Sequence, residues 1–183
     1  MNLLLLNPQQ INGDCALITG RQLEHLISVQ RAAVGDSICV GVINGMMGQG
    51  LISALDSQSA TIQLSLDTQP PPPLPLTMIL ALPRPKMLRR ILQTISAMGV
   101  KKLYLINSSR VEKSFWQTPS LQPEALQEQL ILGLEQARDT HMPEIIMRKL
   151  FKPFVEDELG GIIAQSRPLV AHPGTAKGCP VNS

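Results

Sequence analysis

TMILALPRPKMLRRILQTISAMGVKKLYLIN, residues 77–107, decides the fold of this 183-residue chain. Residues 78–82 form a short apolar run that suits a buried strand, and Pro83-Arg84-Pro85-Lys86 breaks it. From Met87 onward Leu88, Ile91, Leu92, Ile95 and Met98 recur at helical spacing, which predicts one apolar stripe on an amphipathic helix. Gly99 stands where a glycine just past a helix end belongs. Residues 103–106 supply a second apolar strand. Two strands joined by one helix make a βαβ unit, and that connection implies a parallel sheet.

The turn inside this stretch carries the chemistry. Arg84, Lys86, Arg89 and Arg90 set four cations within residues 84–90, at the start of a helix. A helix N-terminus already bears partial positive charge, so cations there are unfavourable by a few tenths of a kcal/mol each without an anion. Phosphate is the natural anion; a solvated basic face is the competing reading. Pro83 and Pro85 occupy positions where a Walker or Rossmann turn needs glycine, which disfavours an α/β enzyme acting on a phosphorylated small molecule.

Charge distribution sharpens the point. Residues 1–69 hold two basic and five acidic side chains, and residues 112–183 hold seven and nine. Residues 68–111 hold seven basic side chains and no acid, although the whole chain is only +2. The positive charge is therefore concentrated on the βαβ unit, as a nucleic-acid footprint would be. Hydrophobic content of 44% supports a packed core, and 3% aromatics argues against base-stacking platforms. Cys15, Cys39 and Cys179 form no CxxC pair, which points to a reducing compartment and excludes a disulfide framework or a zinc site. Residues 3–6 are too short for a signal peptide, and no apolar run approaches the ~20 residues of a membrane span. A cytoplasmic protein without membrane or metal is expected.

Before the βαβ unit, residues 1–69 read as a small β-barrel. A short helix begins at Gly20, with Leu23, Leu26 and Ile27 on its apolar side. Gly35-Asp36 marks a turn, residues 37–43 alternate as a half-buried strand, and Asn44-Gly45 signals a hairpin. Gly48 and Gly50 read as flexible backbone ahead of strands at 51–55 and 61–66. Several short strands with turns between them suggest the barrel. QPPPPLP at residues 69–75 marks a boundary, so a proline-rich linker is expected over 70–75 and an α/β domain of three or four strands over 76–183.

After the βαβ unit, a loop over 108–122 holds Arg110, Lys113 and Trp116. Pro123 opens a helix with Leu126, Leu130, Leu134 and Ala137 on one face, ending before Met142 because Pro143 follows. Gly133 inside that helix costs about 1 kcal/mol against Ala, a hint of close approach to another backbone. Residues 145–147 and 169–171 are further strand candidates, with a short helix at 156–165 between them. No Ser-His-Asp order, HExxH or metal spacing involves His25, His141 or His172. Glu135, Gln136 and Arg138 cluster at a helix end, where solvent or a ligand could equally take them.

Several fragments, in order, carry a resemblance. His25-Leu26 with Val29, Arg31 and Gly35-Asp36 fits an HLxxVxRxxxGD pattern. Lys86, Gly99-Val100, Glu135-Gln136, Pro143-Glu144-Ile145 and His172-Pro173 follow in the matching sequence. The chain resembles the bacterial 16S ribosomal RNA uridine-N3 methyltransferases (RsmE-like) of the SPOUT superfamily. It departs in having Ala97-Met98 before Gly99, Asp139 where that family usually has an arginine, and no charge in residues 1–7. The resemblance implies an α/β fold with a PUA-like RNA-binding barrel followed by a SPOUT domain, and a homodimer acting on 16S rRNA or the small ribosomal subunit. It implies methyl transfer from S-adenosylmethionine to N3 of a uridine. His25, Arg31, Arg84, Lys86, Arg89 and Arg110 are its candidate RNA contacts. Glu135, Gln136, Arg138, His172, Pro173 and Gly174 are its candidate cofactor or site-lining residues, with no general base picked out. The family continues into a GPEGG loop and an LGxxxLRxETA segment that knot around the cofactor. A chain ending at Ser183 is expected to be a partial, inactive form with an incomplete cofactor pocket. A non-catalytic RNA-binding module is the other reading.

Overall fold

In the computed structural model, which describes residues 2–171, four consecutive leucines set the plan of the first half. Strand β1 (Leu4–Leu6) is buried at every position, because its two faces serve two cores. Leu4 and Leu6 enter the barrel core with Ile18, Leu26, Val40, Ile52 and Ile62. Leu3 and Leu5 turn the other way, onto Leu134 of a later helix. The period-2 alternation of an extended chain makes this division automatic.

The barrel sheet runs β1-β4-β5-β6-β3-β2, with β2 at Ile11–Asn12, β3 at Cys15–Ile18, β4 at Ser37–Val42, β5 at Met47–Leu55 and β6 at Ala60–Thr68. It is antiparallel except for the β1/β4 pair, where Leu4 aligns with Val40. Helix α1 (Gly20–Ser28) lays Leu23 and Leu26 into its core. The sheet curls without closing, since β1 and β2 are its two edges. Gly48 and Gly50 are strand residues, not the flexible backbone expected. A Cβ at Gly48 would stand 1.9 Å from the Ser65 carbonyl oxygen, so glycine lets β5 press against β6.

The second sheet is parallel, in the order β7-β8-β9, with β7 at Leu74–Ala81, β8 at Val100–Ile106 and β9 at Glu144–Arg148. Strand β7 begins inside the proline-rich segment, so Leu74 and Pro75 are already extended beside β8, where Leu74 aligns with Val100. Helix α2 (Pro85–Ala97) starts at the second proline of the turn, which suits a first helical position. It buries Leu88, Leu92 and Ile95 as the periodicity requires. Met98 is a correction: it caps the helix and is 61% exposed, while Gly99 takes the expected positive φ of +82°.

Helix α3 (Pro123–Ala137) packs beside α2 over Leu103 and Leu105 of the sheet. Its contact with α2 passes through Gly133, whose added Cβ would lie 2.3 Å from the Gln93 carbonyl oxygen. Ser96 Oγ donates to the Leu130 carbonyl at 2.8 Å across the same seam. The backbone approach inferred from Gly133 is present. The predicted stripe residue Ala137 gives way to Gly133 and Glu135 among the buried positions of α3.

The chain divides after Arg148 into two compact units, and the barrel and the three-stranded sheet lie together in the first. The second unit opens with one helical run: α4 at Phe151–Pro153, a π-helical turn at Phe154–Glu158 and α5 at Leu159–Ile163. The helix expected at 156–165 therefore begins earlier, and Gly160 and Gly161 do not interrupt it. Residues 169–171, expected as a strand, carry no strand.

Candidate nucleic-acid interface

Parallel strands present their carboxyl ends on one edge, which is where open α/β sheets bind ligands. Leu82 continues the β7 pairing, its N–H donating to the Ile106 carbonyl at 2.9 Å, and the chain then turns through Pro83 into α2. Arg84 is the N-cap of that helix in extended conformation, makes no side-chain cap bond, and no acid lies in the first turn. Burial of Leu88 and Leu92 turns the opposite face outward. Arg84, Lys86, Arg89 and Arg90 are consequently all exposed. Arg89 donates a long bond, 3.4 Å, to Ser120 Oγ.

The neighbouring strand adds to this edge. Beyond β8, the Asn107 N–H donates to the Arg148 carbonyl at 3.1 Å, tying the ends of β8 and β9. Asn107 Oδ1 accepts from the Trp116 indole at 3.2 Å, and Trp116 packs against the core rather than standing free. Exposed Arg110 and Lys113 lie on the loop this anchors. Of the two lysines on β8, Lys101 is paired in the interior and Lys102 stays exposed. Lys101 Nζ bonds Asp139 Oδ2 at 2.5 Å and the His141 carbonyl at 2.7 Å, and its side chain is 15% exposed. Lys102 Nζ sits 5.7 Å from the centre of the Tyr104 ring, within cation-π range.

His25 and Arg31 belong to the barrel. His25 lies on α1 with Nε2 buried and no hydrogen-bond partner. Its pKa is lowered, first by burial and then by nearby positive charge including Arg21, so the neutral imidazole is favoured there. Arg31 is exposed on the loop after α1 with φ +53°. Arg84, Lys86 and Arg89 thus come together on one helix start, Arg110 follows the adjacent strand, and His25 and Arg31 sit on the other half of this unit.

Glu135, Gln136 and Arg138 form the last turn of α3, and that turn is built into the junction with the barrel. The Glu135 carboxylate is nearly sealed, its side chain 3% exposed, and meets the Arg21 guanidinium at 3.3 Å. Burial raises its pKa, against the opposing pull of Arg21. The Glu135 carbonyl accepts from the Asn2 and Leu3 N–H groups at 3.1 and 3.0 Å, and the Gln136 carbonyl from Asn2 Nδ2 at 2.8 Å. The β1 end therefore supplies the partners that a helix C-terminus lacks. Arg138 closes the helix in the left-handed conformation, φ +56°, with its side chain exposed. His172, Pro173 and Gly174 lie outside the described residues.

Among the described residues, the candidates Glu135, Gln136 and Arg138 line neither of two cavities. One, ≈ 340 Å³, is an apolar groove between α3 and β9, walled by Leu126, Leu130, Met142, Pro143, Ile145 and Met147. The other, ≈ 420 Å³, lies on the barrel beside α1. Glu135 is tied to Arg21, while the side chains of Gln136 and Arg138 are exposed. Sequence reading missed the roles of Arg21, Asn44, Asp139 and Thr140, whose partners lie 38 to 114 residues away. Among the described residues, no His, Cys, Asp or Glu cluster is placed to hold a metal, and no helix is long and apolar enough to cross a membrane.

Residues 70–180 match the model of the RNA methyltransferase domain, well over half of the chain. The chain belongs to this family. It is 29% identical over 157 residues to ribosomal RNA small subunit methyltransferase E of Treponema pallidum, covering 84% of this chain and 59% of that protein. The chain thus spans less than two thirds of that relative. Among solved structures, a probable rRNA-methyltransferase from Porphyromonas gingivalis superposes with a TM-score of 0.67 at 18% identity, covering 86% of this chain and 64% of that one. A ribosomal RNA small subunit methyltransferase E from Neisseria gonorrhoeae, bound to S-adenosyl methionine, gives 0.61 at 18%, covering 81% and 63%. The fold of this methyltransferase-family chain, a curled barrel sheet followed by a parallel α/β sheet, is therefore the RsmE-like one expected.

Proposed function

We propose that this chain grips 16S rRNA for a cytoplasmic, homodimeric RsmE-like enzyme that methylates N3 of a uridine with S-adenosylmethionine. The observation that carries the RNA role is the uncapped, acid-free start of α2, with Arg84, Lys86, Arg89 and Arg90 all exposed at the carboxyl edge of a parallel sheet. Phosphate fits both the helix dipole and the four cations. Arg110 extends the edge, and Arg31 offers a barrel contact. Uridine N3 is a weak nucleophile until it loses its proton, so S-adenosylmethionine supplies the methyl group and a base or acceptor must engage N3. The relatives' names and the matched family support this chemistry.

Filter binding of 16S rRNA across a salt series tests the RNA role. Affinity should fall steeply with salt, as phosphate neutralisation requires. A triple variant, Arg84→Glu, Lys86→Glu and Arg89→Glu, should abolish binding; unchanged affinity overturns the reading. Transfer of labelled methyl groups to the rRNA separates an active enzyme from a non-catalytic RNA-binding module.

A further inference from the structure

We propose that Arg21 is a positioning residue, fixing the angle between the barrel and the methyltransferase-family domain by holding the buried carboxylate of Glu135. Three polar contacts join the end of α3 and its exit loop to three separate parts of the barrel. The start of β1 caps the helix through Asn2 and Leu3. The Asn44-Gly45 turn holds the exit loop: Asn44 N–H donates to the Thr140 carbonyl at 2.8 Å, and Thr140 Oγ1 donates to the Gly45 carbonyl at 2.6 Å. Met142 N–H donates to Asn44 Oδ1 at 2.9 Å. The third contact comes from α1, where both terminal nitrogens of Arg21 reach the Glu135 carboxylate at 3.3 Å.

Three anchors fix an orientation, whereas two leave one axis of rotation. The apolar layer between the halves, Leu3, Leu5 and Leu134 with Met47, Ile131 and Met142, is not directional and tolerates small rotations. The exit loop is itself stiffened, because Asp139 binds both Lys101 Nζ and the His141 N–H. A carboxylate at a helix C-terminus opposes the helix dipole, and burying it is unfavourable as well. Glu135 is thus poorly explained as a stabilising group and well explained as an orientation key, a use of buried ion pairs with precedent. The consequence for RNA, which rests on the function proposed above, is that Arg31 on the barrel and Arg84 on α2 meet the nucleic acid at a fixed angle.

The test measures orientation and stability separately in the full chain. Nitroxides at Cys15 and at Glu128→Cys, in a Cys39→Ala and Cys179→Ala background, report the distance between the two halves by pulsed electron resonance. Arg21→Ala should broaden that distribution and lower Tm, because it leaves the Glu135 carboxylate buried and unpaired. The double variant Arg21→Ala with Glu135→Gln removes that charge and should recover most of the Tm while the distribution stays broad. Arg21→Lys should restore the narrow distribution, and Glu135→Gln, which still accepts from Arg21, should keep it. Affinity for 16S rRNA should fall about tenfold in Arg21→Ala as the competent orientation becomes a minor population. An unchanged distance distribution in Arg21→Ala overturns the proposal. Absence of rRNA binding by the unmodified chain would refute the proposed function instead, leaving the orientation key to be judged on the distances.

Discussion

Replacing Gly133 by alanine tests the close helix–helix contact between α2 and α3. The new Cβ would lie 2.3 Å from the Gln93 carbonyl oxygen, 2.8 Å from Ser96 Cβ and 3.1 Å from the Ala97 nitrogen. Two of these atoms are α2 backbone, so no side-chain rotation relieves the overlap. Helix α2 must retreat by roughly 1 Å to reach ordinary contact, prising open a seam held by the Ser96 to Leu130 and Gln93 to Gln129 hydrogen bonds. Overpacking of this kind costs about 1–3 kcal/mol, and weakening the buried Ser96 bond adds about 1 kcal/mol. The alanine returns about 1 kcal/mol through helix propensity. The net is about 2 kcal/mol of destabilisation, or roughly 4–8 °C in Tm for a chain of this size. Thermal melts and urea titrations would measure it, with Gly161→Ala as control. Gly161 has nothing within 4 Å of its added Cβ, so the control should be neutral or slightly stabilising. A Gly133→Ala protein as stable as its parent would refute the close α2/α3 approach.

Other outcomes follow from the buried charges and the basic edge. Burial raises the Glu135 pKa, so the folded chain holds that proton more tightly than the unfolded one. Stability from this group is therefore lost as pH rises from the ordinary glutamate value, 4.5, through the raised folded-state value. Urea titrations at several pH values should show Glu135→Gln with a flatter profile and no loss of stability at neutral pH. Lys101→Met strips the buried Asp139 carboxylate of its cation and should cost about 3 kcal/mol, partly recovered by adding Asp139→Asn. Lys101→Met should also leave the salt dependence of rRNA binding unaltered, because that lysine faces the interior. Lys86→Ala should reduce the slope by about one charge, read from the same filter-binding series.

What the sequence made legible is what repeats or accumulates locally. The βαβ unit was readable from spacing alone, since Leu88, Leu92 and Ile95 needed no knowledge of their partners to declare a buried face. Gly133 was readable for a related reason: its helix-propensity cost is local, even though its cause lies 40 residues back at Gln93. Strand β5 was cut short because Gly48 and Gly50 carry the local signature of flexibility, and only the approach of β6 shows why they are small. The first strand, β1, escaped for want of alternation. Residues 3–6 are leucines throughout, and a strand serving two cores shows no period to detect.

The charged residues divide by the same rule, with a consequence for the candidate site. Arg84, Lys86, Arg89 and Arg90 are exposed, as their places opposite the buried Leu88 and Leu92 imply. Lys101 was counted with them, but its charge is met by Asp139, a partner 38 residues on that no local pattern connects to it. Glu135 shows the converse. Its helix-end position invited a ligand, yet its partner is Arg21, 114 residues earlier on another sheet's helix. A charge count therefore overstates the binding surface wherever the fold pairs charges at long range. Here Lys101 drops out of the exposed basic edge, and the Glu135 carboxylate is already met by Arg21, the pair on which the proposed orientation key rests.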